Sequence, residues 1–347
     1  MTDIIIMNTD VKTVKYKEYD DYIKGEVLGE GTFAKVREFV HKLTIKRCAA
    51  KIFKRDRMSY LKKYKHNIYD NINNEIKLVY KLNHKNIIKF YDVLETNKKI
   101  YIFMEYCVGP LSDIIQSAFP NGLPKWQCHH YFCQLIDGLK YLHSRGVYHR
   151  DIKDDNLMVD NSHIIKIADF GVSYLTDLFA PNDMIKGYEG TLDFMAPEVD
   201  TQVLYSGSKA DIWSAGVLLF KMITGTLPET PISEILPKYP FIITEDKPLR
   251  HLFEDIFQKD FKSRISIRDI KHHQWIRLKQ QTDDKSRIEI PSKTISDIYR
   301  GITLLERLRK DLKVRTDRVK EKRQTPEGRV SPLRRLLRYG LWDTNGH

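Results

Sequence analysis

The chain has 347 residues, 41% of them hydrophobic and 30% charged, with a formal net charge of +12. That length admits one large two-lobed domain plus extensions, with a sizeable core. The charge excess is uneven: from Lys285 onward 17 Lys and Arg stand against 8 Asp and Glu, a net +9. This argues against a uniformly basic nucleic-acid-binding core and for a separate basic extension.

Four cysteines (Cys48, Cys107, Cys128 and Cys133) show no zinc-type spacing, which fits a reducing cytoplasm or nucleus. No apolar stretch approaches membrane-spanning length, so no transmembrane segment is expected. The opening MTDIIIMNTD lacks a charged n-region and a cleavage pattern, and the closing TNGH is no prenylation box.

Residues 1–21 are polar and read as a flank. YIKGEVLGEGTFAKVREFV, from Tyr22, reads as strand, glycine-rich turn, strand, and CAAKIFKR as a third strand. The basic loop KRDRMSYLKKYKHN leads into a helical stretch, NINNEIKLVYKLN. NIIKFYDVLE and KKIYIFMEYC form a strand pair. After Gly109 the texture turns helical. WQCHHYFCQLIDGLKYLHSRG has apolar residues at helical spacing, and KADIWSAGVLLFKMITG is apolar enough to be buried. Strands first and helices later predict an α+β arrangement. Residues 278–347 form a charged tail with helical potential in ISDIYRGITLLERLRKDL and PLRRLLRYGLW, and there is no internal repeat.

Gly29, Gly31, Ala34 and Val36 give G-x-G-x-x-A-x-V. Such glycines bring backbone N–H groups close to a phosphate. The strand that follows argues against a dinucleotide fold, which needs a helix there. Fifteen residues after Val36, Lys51 sits on a strand, where a cation can hold nucleotide phosphates. Glu75 on the next helix is its candidate partner. An ordinary surface Lys and Glu would read the same way, and the later motifs decide between them.

YHRDIKDDNLMVD supplies His149, Arg150, Asp151, Lys153 and Asn156; IKIADFG follows with Asp169, Phe170 and Gly171, then MAPE at Ala196–Glu198. This order and spacing resembles the protein-kinase signature set. The resemblance implies a two-lobed kinase fold with a β-rich N-lobe (22–104), a hinge (105–107) and a helical C-lobe (108–277), using ATP and Mg²⁺. Phosphoryl transfer asks for positioning and charge neutralisation more than covalent chemistry. Asn156 and Asp169 are expected to supply hard oxygen ligands for Mg²⁺. Asp151 would orient the acceptor hydroxyl and take its proton, and Lys153 would reach the transferring phosphate. The nucleotide would lie among Leu28, Gly29, Glu30, Gly31, Thr32, Phe33, Ala34, Val36, Ala49, Lys51 and Glu75. Met104 would act as gatekeeper, with the hinge residues Glu105 to Cys107 beside it. Lys153 after HRDI implies Ser/Thr specificity. Thr191 resembles the threonine that contacts the catalytic loop, Asp211 the buried aspartate beneath that loop, and Glu198 with Arg264 the C-lobe ion pair. All five catalytic positions are occupied, which speaks against a scaffolding pseudokinase.

Several longer runs narrow the resemblance: IYIFMEYCVGPLSDII, HHYFCQLIDGLKYLHSRG, FAPND, YSGSKADIWSAGVLLFKMITG and SRISIRDIKHHQWIR. With YIKGEVLGEGTFAKVREF and the flanking SDIYRGITLLERL, they resemble the liver kinase B family (serine/threonine kinase 11) over residues 20–312. That resemblance implies activation by a STRAD-type pseudokinase with an armadillo-like scaffold. It also implies that the substrates are activation loops of AMP-activated-type kinases. Three positions depart from the family pattern: Arg150 where it typically has Lys, Phe170 where it has Leu, and MAPE where it has QPPE. Those departures keep calcium/calmodulin-dependent kinase kinases as the alternative, with SPLRRLLRYGLW as a calmodulin target.

NDMIKGYEGTLDFMAPE, residues 182–198, ends the activation loop. No Ser or Thr occurs from Asp177 to Gly190. The usual phosphoacceptor position, nine residues before Ala196, is Gly187. The expectation is a loop held by a partner that prefers the active conformation; the alternative is constitutive activity with Glu189 paired to Arg150. The tail would brace the C-lobe and end in a mobile basic segment. Contact of that segment with acidic lipid, calmodulin or nucleic acid is the lesser reading.

Overall fold

The computed structural model describes residues 18–19, 21–31, 34–56, 68–176, 182–201, 203–228 and 246–278. Thr32 and Phe33, the basic loop over 57–67 and the tail from residue 279 lie outside the described residues.

The first half is a six-stranded antiparallel sheet: β1 (Glu18–Tyr19), β2 (Tyr22–Glu30), β3 (Ala34–His41), β4 (Lys46–Lys54), β5 (Phe90–Glu95) and β6 (Lys99–Glu105), in the order β1-β2-β3-β4-β6-β5. The first strand pairs within the segment read above as flank: Glu18 lies opposite Ile23.

Alternation sorts the side chains onto two faces. Cys48, Ala50 and Ile52 of β4 join Phe39, Tyr101 and Phe103 in one cluster. Phe53, Ile100 and Ile102 face the other way, against Ile72 and Ile76 of helix α1 (Ile68–Lys81). On α1, Ile72, Ile76 and Val79 recur at helical spacing and are buried. Glu75 lies on the same face, so the helix that seals the sheet also aims a carboxylate at β4.

β6 runs into β7 (Gly109–Pro110) and α2 (Leu111–Ser117), then the helical half. Helix α3 (Lys125–His143) buries Cys128, Phe132, Leu135, Leu139 and Leu142. Helix α4 (Gly207–Thr224) is buried on nearly every face from Ala210 to Phe220, as its unbroken apolar sequence predicts. Ser206 caps α4 by accepting the Lys209 N–H at 3.2 Å. Helices α5 (Lys247–Ile256), α6 (Ile267–His272) and α7 (Gln274–Arg277) complete this half.

The Arg264 side chain is fully buried and bidentate with Glu198, at 2.6 and 2.9 Å, and it also donates to the carbonyls of Gln258 and Lys209. A buried charge with this many partners is not left uncompensated.

Between the halves lie short strands that carry the site. β8 (Val147–Tyr148) pairs with β11 (Tyr174–Leu175). β7, β9 (Leu157–Val159) and β10 (Ile165–Ile167) form a small sheet, and β12 (Met184–Ile185) pairs with β13 (Tyr205–Ser206).

Candidate active site

A cavity of 1120 Å³ opens between the two halves, large enough for a nucleotide-sized ligand. Leu28, Gly29, Val36, Ala49, Lys51, Glu75, Met104, Glu105, Cys107, Asn156 and Asp169 line it. Glu30, Gly31, Ala34, Asp151 and Lys153 are not among the lining residues. Glu30 instead pairs at the surface with Lys35, at 2.8 Å, and Thr32 and Phe33 lie outside the described residues.

Register puts Lys51 in the cavity. It sits opposite Val36 on β3 and Ile102 on β6, so its side chain leaves the sheet toward α1. Its Nζ lies 3.0 and 3.1 Å from the two Glu75 oxygens and 2.6 Å from Asp169 Oδ1. Burial alone would lower the Lys51 pKa, but the Glu75 and Asp169 carboxylates outweigh it and hold the ammonium protonated. For Asp169, burial alone would raise the pKa. The charge and hydrogen bond of Lys51, with help from His149 and the Gly171 N–H, outweigh burial and hold it below the ordinary carboxylate value.

Phe170 is buried with its ring edge-on to His149, centroids 5.2 Å apart.

Asp211 on α4 organises the catalytic loop from below. Its Oδ2 accepts the His149 N–H at 2.9 Å and contacts His143 Nε2 at 2.8 Å; its Oδ1 accepts the Arg150 N–H at 2.8 Å. Arg150 and Asp169 both hold left-handed backbone, φ 67° and 62°, a strain that proteins concentrate at functional positions.

Above this anchor Asp151 is held on two sides. Asn156 Nδ2 donates to its carbonyl and to Oδ2, both at 2.8 Å. Thr191 Oγ1 donates to Oδ1 at 2.6 Å, and Lys153 Nζ lies 3.1 Å from Oδ2 and 2.6 Å from Thr191 Oγ1. Lys153, Thr191 and Asp151 thus form one closed network, as expected of the threonine.

The residues present fit a Mg²⁺–nucleotide. Asn156 spends its amide nitrogen on Asp151, leaving its oxygen as the acceptor. Among the described residues no group of three or more His, Cys, Asp or Glu is placed to hold a metal alone. Two protein oxygens with the rest supplied by phosphates and water is the ordinary magnesium arrangement.

Arg150 has partners other than a phosphate: its Nε donates to Val172 O at 2.6 Å, and its guanidinium lies over the Tyr174 ring, 5.6 Å from the centroid. No ion pair joins it to Glu189 among the described residues, so the fixed-charge alternative for the loop is not what holds it here.

Two contributors escaped the sequence reading. Lys166, inside the quoted IKIADFG, is a nearly buried cation 3.1 Å from Glu105 Oε2 and 3.9 Å from Asp160. Glu105 Oε1 in turn accepts the Lys89 N–H at 2.6 Å, so the hinge carboxylate is tied to both halves. Its place three residues before Asp169 was the available signal. The second is Tyr205, whose contact with Gly187 has no sequence signature.

A strand-built half, a helical half, a cleft lined by Lys51, Glu75, Asn156 and Asp169, and Asp151 hydrogen-bonded to Asn156 define a protein kinase. The family model for the protein kinase domain matches residues 22–276. Serine/threonine-protein kinase STK11 of Gallus gallus is 38% identical over 293 residues, covering 81% of this chain and 66% of the relative. The Homo sapiens STK11 is 36% identical over 294 residues (82% and 67%), and par-4 of Caenorhabditis briggsae is 33% identical over 277 (76% and 42%). The chain belongs to the STK11 family of serine/threonine protein kinases, and it spans about two thirds of the length of the vertebrate relatives it matches. Kinases of this family use ATP and Mg²⁺ and act on protein substrates. Among the described residues no helix is long and apolar enough to cross a membrane.

Proposed function

We propose that this chain transfers the γ-phosphoryl group of ATP to Ser or Thr in the activation loops of AMP-activated-type kinases. We propose further that partner binding activates it, rather than phosphorylation of its own loop. The observation that carries the reading is the joint presence of an assembled catalytic network and a loop with no Ser or Thr from Asp177 to Gly190.

Lys51, oriented by Glu75, holds nucleotide phosphates. Asn156 and Asp169 would hold Mg²⁺, which when bound would offset phosphate charge. Asp151 receives the proton of the acceptor hydroxyl; the Thr191 and Asn156 hydrogen bonds fix its carboxylate for that task. Lys153 sits against the same carboxylate and supplies positive charge where negative charge develops. Backbone groups of Glu105 to Cys107 hold the adenine edge.

Partner activation follows from the loop. Gly187 offers no phosphoacceptor, so the competent arrangement must gain population from another source, and a partner that binds it preferentially supplies one. A STRAD-type pseudokinase with an armadillo-like scaffold is the proposed partner pair, and the cytoplasm or nucleus the proposed location.

The test is phosphorylation of an AMP-activated kinase domain by the purified chain, alone and with both partners, with Asp169→Ala as the inactive control. Stimulation by the partners supports the reading. Full activity alone, unchanged by partners, refutes partner activation and favours an upstream kinase of the calcium/calmodulin-dependent kinase kinase type.

A further inference from the structure

We propose that Tyr205 is a positioning residue for the activation loop: its hydroxyl, donated to the Gly187 carbonyl, fastens that loop beside Arg150, where a phosphate would otherwise hold it. The proposal rests on the kinase reading and names what holds its loop from within the chain.

Gly187 lies against the arginine. A Cβ built there would come 3.2 Å from Arg150 Nη1, and one at Gly190 would come 2.4 Å from Arg150 O. Both glycines hold φ values that side chains rarely adopt, +121° and +123°. Both positions therefore strain any side chain by their backbone, and at Gly190 the Arg150 carbonyl also leaves no room for one. With no side chain to offer, Gly187 presents its carbonyl, which accepts the Tyr205 O–H at 3.1 Å.

The hydroxyl is rigidly mounted. Tyr205 is 2% exposed and lies on β13, opposite Ile185 of β12. β13 leads directly into α4, and Asp183 fastens this junction: its carbonyl accepts the Gly207 N–H at 3.0 Å, and its carboxylate accepts from the Ser206 and Ser208 hydroxyls. α4 also carries Asp211, which holds the Arg150 backbone. The β13–α4 junction therefore holds both sides of this approach, the Arg150 backbone through Asp211 and the Gly187 carbonyl through Tyr205. One neutral hydrogen bond holds the loop less strongly than a phosphate paired with an arginine would, which leaves the loop sensitive to a partner.

The experiment compares the full chain with Tyr205→Phe, which keeps the ring and removes only the hydroxyl. Amide hydrogen exchange over residues 182–190 is read alongside steady-state kinetics on a peptide substrate. The expected result is exchange about fivefold faster in that segment, the effect of losing one neutral hydrogen bond of about 1 kcal/mol. Peptide kcat/KM should fall by about the same factor, with KM for ATP unchanged. Unchanged exchange in a folded Tyr205→Phe chain overturns the proposal. Exchange reads the clamp without turnover, so an inactive parent chain would refute the kinase reading and not the clamp.

Discussion

Asp211→Asn probes how the catalytic loop is held. The carboxylate is fully buried and its two oxygens serve three groups: the backbone N–H of His149, the backbone N–H of Arg150, and His143 Nε2. Asparagine replaces one of those oxygens with a donor. If the new NH₂ faces Arg150, two donors meet there. If it faces the other side, His143 can change tautomer, but the His149 N–H cannot. Either orientation forfeits one hydrogen bond to a charged acceptor and strands a buried backbone donor, costing about 3 kcal/mol. In a domain of this size each kcal/mol is about 2–4 °C in Tm, so a fall of roughly 6–12 °C is expected. Because the same loop carries Asp151, kcat should drop by about tenfold or more, since small misplacements of a catalytic group cost rates of that size. Scanning calorimetry and peptide kinetics read both effects. A Tm within about 2 °C of the parent, with kcat unchanged, would refute the assignment of Asp211 as the anchor.

Three further outcomes follow from other contacts. Lys166→Met leaves the hinge carboxylate of Glu105 without its neighbouring cation, so KM for ATP should rise about three- to tenfold with kcat little altered, read by ATP titration at saturating peptide. Thr191→Val removes the hydroxyl that links Lys153 to Asp151 and should lower kcat by roughly ten- to a hundredfold while nucleotide affinity, measured by calorimetry, stays the same. Burial pushes the Cys133 thiol up to about 11 and the Cys48 thiol up to about 12. Raised thiol pKa values mean little thiolate at neutral pH, so alkylation of the folded chain should be slow at pH 7.5 and accelerate only toward those values; fast labelling at pH 7.5 would contradict the burial.

Chain order alone exposed the strand-then-helix layout, because β4 and β6 alternate cleanly between two faces while α4 is apolar all round. The catalytic positions were legible because phosphoryl transfer constrains residue type and spacing together: Asp151, Lys153 and Asn156 occupy one short loop whose geometry depends on that spacing. Lys51 and Glu75 were legible only through the later motifs, since a lone Lys and Glu carry no pairing information until α1 is packed on the sheet. What sequence could not supply were contacts between distant segments with no fixed chemistry. Lys166 meeting Glu105 depends on the β10 strand reaching the hinge. Tyr205 meeting Gly187 depends on the pairing of two-residue strands β12 and β13, too short to show any periodicity. Glu189 is the instructive miss. Its charge and position suggested a partner for Arg150, yet among the described residues no ion pair joins the two, and Arg150 Nε donates to Val172 O instead.

The central claim is that this kinase is competent without a phosphate on its own activation loop. The most direct measurement strips the purified chain with phosphatase and verifies by mass spectrometry that residues 177–190 carry no phosphate. Mg²⁺–ATP phosphotransfer to Ser or Thr of an AMP-activated kinase domain is then assayed in the presence of the STRAD-type pseudokinase and scaffold, with Asp151→Asn as the control. The expected result is undiminished transfer by the dephosphorylated chain and none by the control. Loss of transfer on dephosphorylation, restored when Tyr188 is phosphorylated again, would contradict it.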